Sequence, residues 1–404
     1  MRVTRAPRCR SVGTLPGRSA AAQAPRDGDG RTGDGASSRL RPLPEEPTVT
    51  TSFSPAPLDR VLRGAVTVLG SLPAPVQRLL AGRPTVVDGQ RLETEVQLAL
   101  RALHLVAGPT FETLPVADGR QQISAEAWAF GGPRPQVGSS RDLHVPGPGG
   151  PIPARLHLPH RTSDHAGRPL PMLVYFHGGG WVLGDVDSHD HLCRLLCARA
   201  EVAVLNVGYR LAPEHRFPAA VDDATAAFAW AVEQAETLGV DAGRIAVGGD
   251  SAGGNLAAVV AQVTTAAGGP RPAYQLLFVP VTDLSRRTRS YELFGDGYFL
   301  TAAQMDWYQD HYLGPDGDPT DPRVSPLLAE DLRGLPPAYV GVAGFDPLRD
   351  EGLAYGRAMA AAGVPVALRC HEGLVHPFSN AIGVGRTGRA AVVEAAGALR
   401  AGLA

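Results

Sequence analysis

The sequence predicts an α/β domain, a mostly parallel sheet with helices on both faces, and three observations carry that prediction. Six short runs rich in apolar or β-branched residues lie at 172–176, 202–207, 244–247, 275–279, 338–342 and 366–369. Helical patterns at 189–200, 219–238, 253–265 and 352–362 fall between most of them. The runs are nearly continuous in apolar residues rather than alternating, as in strands covered on both faces. Ligands of such sheets bind beyond the carboxyl ends of the strands, so chemistry is expected in the residues just after each run.

Taken in chain order, residues 1–45 are dominated by Arg, Gly, Ser and Pro. They are expected to form a disordered extension, because little in them can bury surface, and they lack the apolar centre of a secretory signal. Over 46–140 the pattern becomes helical. Leu58, Val61, Leu62, Ala65, Val66 and Leu69 follow helical spacing, and so do Leu92, Val96, Ala99, Leu100 and Leu103. The main domain is expected over 141–404. It opens with two runs between Arg141 and Leu158 that flank Pro146-Gly147-Pro148-Gly149-Gly150, a β-hairpin pattern. More than fifty residues separate Val281 from Pro336, too many for a simple crossover. The aromatic-rich stretch at about 283–335 is therefore expected to be an insertion that packs with the N-terminal helices as a cap over the site.

Composition narrows the function. The chain is 44% apolar and 19% charged with a formal net charge of −2, an ordinary globular balance with no general attraction to nucleic acid or acidic membranes. None of its basic residues is lysine, which removes Walker-type phosphate loops, Schiff-base chemistry and Ser-x-x-Lys acylases. Cys9, Cys193, Cys197 and Cys370 are too few and too scattered for a disulfide framework. No apolar run is long enough to span a bilayer. A cytoplasmic location is expected, and a homodimer stays open.

Gly249-Asp250-Ser251-Ala252-Gly253 has the form G-x-S-x-G and lies between a strand run and a helical pattern. A sharp strand-to-helix turn leaves no room for side chains beside the serine, and the helix N-terminus favours developing negative charge. Alone the pentapeptide is weak, since at this glycine content chance supplies roughly 0.3 copies. His177-Gly178-Gly179-Gly180 decides the matter. It follows directly after the run at 172–176, where lipases and esterases place an oxyanion loop, and chance supplies only roughly 0.02 copies. Backbone N–H donors aimed at a developing oxyanion are worth about 2.7–4 kcal/mol each.

A serine nucleophile needs a base, and in this arrangement the chain order is serine, acid, histidine. Beyond Ser251 the histidines are His311, His371 and His376. His311 belongs to the insertion, and His371 ends the last strand run. His376 follows in the loop at the catalytic edge and is the predicted base. Asp346 comes just after the run at 338–342 and is the predicted orienting acid. Asp350 and Glu351, a turn later, read as first-turn residues complementing a helix dipole, and Asp250 reads as structural.

Five stretches together, His177-Gly178-Gly179-Gly180-Trp181, Tyr209-Arg210-Leu211-Ala212-Pro213-Glu214, Gly249-Asp250-Ser251-Ala252-Gly253-Gly254, Asp321-Pro322-Arg323-Val324-Ser325-Pro326 and Asp346-Pro347-Leu348-Arg349-Asp350-Glu351, resemble the hormone-sensitive-lipase-like family of esterases and lipases. The resemblance spans roughly 141–380. It implies the α/β-hydrolase fold with a helical cap, a triad of Ser251, Asp346 and His376, and oxyanion donors from the N–H groups of Gly178, Gly179 and Ala252. It also places Phe299 and Leu300 over an acyl pocket. Two positions depart from the family pattern: Pro377 follows His376 where Gly is usual, and Gly208 stands where Asp commonly precedes Tyr-Arg.

The implied reaction is hydrolysis of short- to medium-chain acyl esters through an acyl-enzyme, with a small-molecule ester as partner and no cofactor. Amide or carbamate hydrolysis would use the same groups, and a non-catalytic small-molecule receptor on the same fold is the rival from another class. Asp185, Asp187, His189, Asp190 and His191 imitate a metal site, but Ser188 reads as the N-cap of a helix starting at His189, and the family has this stretch without metal. Asp316, Asp318 and Asp321 lack the glycine and closing Glu of a calcium loop. Cys193 and Cys197 read as core-facing.

Overall fold

The computed structural model describes residues 55–105, 108–160 and 167–404, so the extension expected over 1–45 lies outside the described residues. The N-terminal part holds helices α1 (Pro57–Ser71) and α2 (Ala74–Ala81), a small hairpin of β1 (Val86–Val87) and β2 (Gln90–Arg91), then α3 (Thr94–Leu105) and α4 (Val116–Phe130). The helical spacings around Leu62 and Leu100 predicted α1 and α3. The hairpin was not anticipated, although its turn is Asp88-Gly89, the dipeptide that accepts two consecutive left-handed residues, here at φ 54° and 78°.

The main domain is built on one eight-stranded sheet. It comprises β3 (Ser139–Gly147), β4 (Gly150–Leu158), β5 (Leu170–Phe176), β6 (Ala203–Val207), β7 (Val240–Asp250), β8 (Gln275–Phe278), β9 (Ala338–Phe345) and β10 (Val366–Val375). Their spatial order is β10-β9-β8-β7-β5-β6-β4-β3. From β6 to β10 every pairing is parallel, and the β3–β4 hairpin joins antiparallel through β4 and β6. All seven residues of β5 and all eight of β9 are buried, which is why these runs carry no polar alternation.

Crossover helices are α5 (Asp190–Ala200), α6 (Ala219–Glu233), the short α7 (Ala235–Leu238), α8 (Ala252–Ala267) and α11 (Arg349–Ala361), with α12 (Thr387–Gly402) closing the chain. The insertion contributes α9 (Arg289–Phe294) and α10 (Ala302–Leu313). Inserted and N-terminal parts meet: Phe111 packs on Trp307 and Tyr308 with ring centroids 5.5 and 5.3 Å apart, and Phe130 on Phe299 at 6.5 Å. One boundary differs from the sequence reading. Helix α5 starts at Asp190 with His189 at its N-cap. Ser188 is instead locked to Asp185 by reciprocal bonds, its N–H donating to Asp185 Oδ1 at 2.6 Å and its Oγ accepting from Asp185 N–H at 2.9 Å. A turn closed on itself leaves no hydroxyl for capping.

The resembling acidic cluster is likewise absorbed. Asp190 is buried and accepts from Arg194 Nε at 2.7 Å and Arg155 Nη1 at 3.2 Å, while Asp187 takes Arg155 Nη1 at 2.7 Å. His157 lies in the same place, fully buried, with no hydrogen bond to either ring nitrogen. Burial pushes its imidazole down to about 4 against the pull of Asp190, and burial does the same to His191. An unfolded imidazole titrates near ~6.5. Between these values the unfolded chain takes up protons that the folded chain refuses, so stability is full above the unfolded value and drains as pH falls toward the folded one. Calorimetry should show Tm dropping as pH falls across this window, with a loss on the order of 2 kcal/mol per histidine by about pH 5. His157→Leu should flatten part of that slope, and an unchanged Tm across the window would contradict the assignment of buried neutral rings.

Candidate active site

Strand β7 ends at Asp250 and helix α8 begins at Ala252, leaving Ser251 alone at the turn with φ 55° and ψ −119°. A non-glycine residue held there carries backbone strain. The surroundings enforce it. Ser251 N–H donates to Phe278 O at 2.9 Å, and a Cβ on Gly253 would lie 1.9 Å from Phe176 O. The helix comes so close to the end of β5 that only glycine fits.

Ser251 Oγ lies 3.0 Å from His376 Nε2, and His376 Nδ1 lies 2.8 Å from Asp346 Oδ2. Asp346 is fully buried, and its other oxygen accepts Leu348 N–H at 2.9 Å. With the Nδ1 proton donated to the carboxylate, Nε2 presents its lone pair to the serine hydroxyl. Pro377 does not disturb this, because it opens a single 3₁₀ turn (His376–Ser379), where a proline needs no N–H partner. Behind Gly208, the next turn is held by Arg210, whose N–H and Nε both reach Asp223 Oδ2 at 2.9 Å.

The oxyanion loop differs from the expected donor set at one residue. Gly178 N–H donates to Asp250 Oδ1 at 3.2 Å, with His189 Nε2 at the same distance. A donor engaged with a buried carboxylate is not offered to a substrate. The N–H groups of Gly179, Gly180 and Ala252 have no protein acceptor among the described residues. Gly179 and Gly180 have φ 115° and 59°, and a Cβ on either would collide, with Leu183 O at 2.2 Å or the Tyr308 ring at 2.1 Å. The two loop N–H groups left without a protein acceptor thus lie one position further along the chain than the expected pair.

The alpha/beta hydrolase fold family matches this sequence over residues 173–380. The chain belongs to the α/β-hydrolase family. It is similar to carboxylic ester hydrolase LipN of Mycobacterium tuberculosis, 48% identical over 326 residues, or 79% of this chain and 85% of that one. It is also similar to an ethyl acetate hydrolase of Pseudomonas putida, 44% identical over 241 residues, 59% of this chain and 73% of that one. Among solved structures it resembles ester-hydrolase EH1AB1 from the metagenome of Lake Arreo, with TM-score 0.74 and 42% identity over 77% of this chain and 98% of that one.

In this α/β-hydrolase the residues around Ser251 are tied to one another. Asp250 accepts Tyr175 O–H at 2.6 Å and faces His189 Nε2 at 3.2 Å. Burial alone would raise its carboxyl, but the His189 ring and the tyrosine hydroxyl outweigh that and hold it low. His177 stacks on Tyr209, its centroid 4.3 Å away, and burial keeps its ring neutral, down to about 4.

Asp350 and Glu351 do more than complement the dipole of α11. Asp350 Oδ2 accepts Ser290 N–H at 3.0 Å at the head of α9, and Glu351 Oε1 accepts Thr282 N–H at 2.8 Å where the insertion leaves the sheet. Burial pushes the Glu351 carboxyl well up. No sequence signal distinguished these ties from ordinary first-turn acids, because their partners are backbone groups some sixty residues earlier.

Phe299 is half-buried at φ 83° against Phe130, and Leu300 is buried in the main core. A groove of about 680 Å³ lined by Pro146, Val221, Ala229 and Arg323 and a cavity of about 300 Å³ lined by Leu284, Tyr291 and Met305 include none of Ser251, His376 and Asp346.

His371 and His376 separate cleanly in this geometry. His371 Nε2 lies 3.2 Å from Tyr339 Oη, on the sheet and away from Ser251. His376→Ala should lower kcat toward an activated ester by about 10³-fold or more, and His371→Ala by no more than about threefold. Steady-state kinetics of both variants check this, and the reverse order would remove His376 from the base position.

Proposed function

We propose that this carboxylester hydrolase cleaves short- to medium-chain acyl esters through Ser251, His376 and Asp346. The observation that carries the reading is the continuous hydrogen-bond chain from Ser251 Oγ through both nitrogens of His376 to a buried Asp346, 3.0 and 2.8 Å long. Ser251 Oγ attacks the ester carbonyl carbon while its proton passes to His376 Nε2. Asp346 holds the tautomer and stabilises the imidazolium. The carbonyl oxygen becomes an oxyanion held by the N–H groups of Gly179, Gly180 and Ala252, with the positive end of α8 behind it. The imidazolium protonates the departing alkoxide, leaving an acyl-enzyme. Water, deprotonated by the same ring, then releases the acid and restores Ser251.

Rapid mixing with 4-nitrophenyl acetate tests this directly. One equivalent of nitrophenolate per enzyme should appear in a burst before steady turnover, and Ser251→Ala should lose the burst and about 10⁴-fold or more of kcat with an unchanged Tm. Turnover by Ser251→Ala at the wild-type rate would sink the triad.

The cap supports the acyl-length part of the proposal. Phe299 and Leu300 lie in the insertion where it meets α4, and similarity to an ethyl acetate hydrolase fits a small acyl group. Leu300→Ala should therefore shift preference toward longer chains, each added methylene gaining up to about 0.8 kcal/mol if fully buried. A series of 4-nitrophenyl esters measures the slope of kcat/KM with chain length in wild type and variant. A parallel fall at every length would mean that Leu300 only holds the cap together.

A further inference from the structure

Of the eight large hydrophobic side chains exposed among the described residues, six lie between residues 61 and 86: Val61, Val68, Val76, Leu79, Leu80 and Val86. Leu79 is 80% exposed and Val61 67%. Helix α1 carries apolar residues on both sides. Leu62 and Val66 face inward with Phe130, Phe299 and Ala381, beside the segment that follows His376, and Val61 and Val68 face out. Single exposed hydrophobics are ordinary, but five of them on two consecutive helices, with Val86 on β1 just beyond, point to a contact surface.

Charge identifies what it contacts. Helices α1 and α2 hold one acid, Asp59, and their outward cations are Arg60 and Arg78, with Arg83 just beyond, whereas Arg63 is turned inward onto Trp128 O and Gly132 O, in a chain whose net charge is −2. The whole-chain balance thus hides a local segregation. Arg101 on α3 adds a further exposed guanidinium, reaching Leu80 O at 3.3 Å. Exposed valines and leucines with arginines among them are the composition of a helix that lies in a membrane interface, its apolar side chains in the acyl boundary and its cations among phosphates.

We propose that α1 and α2 dock this α/β-hydrolase on a lipid bilayer surface carrying anionic headgroups. A second copy of the chain fits less well. Twofold pairing would set the arginines of one patch against those of the other, with Asp59 as the one carboxylate on α1 and α2 to offset them. Residues 1–54 fit no better, since they hold nine arginines against five acids. An anionic headgroup layer satisfies both halves of the surface at once. The docking is independent of the ester reaction, and the surface lies on the outside of the cap whose inside faces Phe299.

Flotation of the full chain with vesicles tests the proposal. Wild type should partition onto phosphatidylcholine vesicles containing phosphatidylglycerol, less onto pure phosphatidylcholine, and less again as salt is raised. The double variant Val61→Glu/Leu79→Glu should partition about tenfold less or weaker still, with kcat/KM on a water-soluble ester within about twofold of wild type. Arg78→Gln/Arg83→Gln keeps the apolar face and should lose the preference for phosphatidylglycerol. The proposal is overturned if wild type stays off both vesicle types, if the Glu variant floats as well as wild type, or if wild type is a dimer that the Glu variant splits.

Discussion

Parallel strand register is the constraint on which the site depends. Phe176 on β5 pairs with Gly249 on β7, so His177, the first residue past β5, stands beside Asp250, the last residue of β7 before Ser251. Phe345 on β9 pairs with Val375 on β10, so Asp346 and His376 leave the sheet side by side. Two pairings two strands apart thus deliver the glycine loop after His177 together with the Ser251 turn, and Asp346 together with His376. The second pairing exists because of an irregularity. Between His371 and Val375 the register slips against β9, and the two extra residues bring His376, rather than Leu374, level with Asp346. Had β10 continued regularly, the imidazole would stand two residues beyond its carboxylate.

That irregularity is held from outside the main domain. Glu93 N–H donates to Gly373 O at 2.9 Å within the bulge, and a Cβ on Gly344 would lie 2.0 Å from Glu372 O. Gln90, with its amide turned to satisfy both groups, donates to Glu372 O at 3.0 Å and accepts from Arg349 Nη1 at 2.9 Å. Arg349 also reaches Asp88 at the hairpin tip, at 3.2 Å. The residues after Asp346 therefore collect three separate segments: Arg349 the N-terminal hairpin, Asp350 the head of α9, and Glu351 the start of the insertion. The loop after Asp346 is thus tied to the N-terminal hairpin and to the inserted segment by direct hydrogen bonds.

How much of this could be read in the sequence follows from the range of the interactions. Strands buried on both faces announce themselves by apolar runs, and the motifs after them needed only their neighbours in the chain to be recognised, so the sheet and the residues that form the hydrogen-bonded chain were legible. The β1–β2 hairpin was legible too, in Asp88-Gly89, but two-residue strands are too short for periodicity to flag. Helix α4 was missed because Gln121, Gln122 and Ser124 blur its apolar stripe. The engaged Gly178 N–H was not legible at all. It depends on where the Asp250 carboxylate points, and a run of three glycines offers three equivalent donors until the fold chooses among them.

The cap then answers to two environments at once. Its inner surface, where Phe130 and Phe299 meet beside α1, is held by packed side chains that exclude water. Its outer surface keeps Val61, Val68 and Leu79 in contact with water, at a cost of roughly 25 cal/mol for each Å² of apolar area left exposed. Helix α1 is buried on one side only, and its outer side mixes Val61 and Val68 with Arg60 and Thr67. The hydrogen bonds that hold it, Arg63 Nη2 to Gly132 O at 2.6 Å and Gln77 Nε2 to Leu69 O at 3.0 Å, anchor its inner edge and leave the outer face free. Apolar contact there would bury surface without breaking any of them, so the outer face can take up a partner while the inner face keeps its shape.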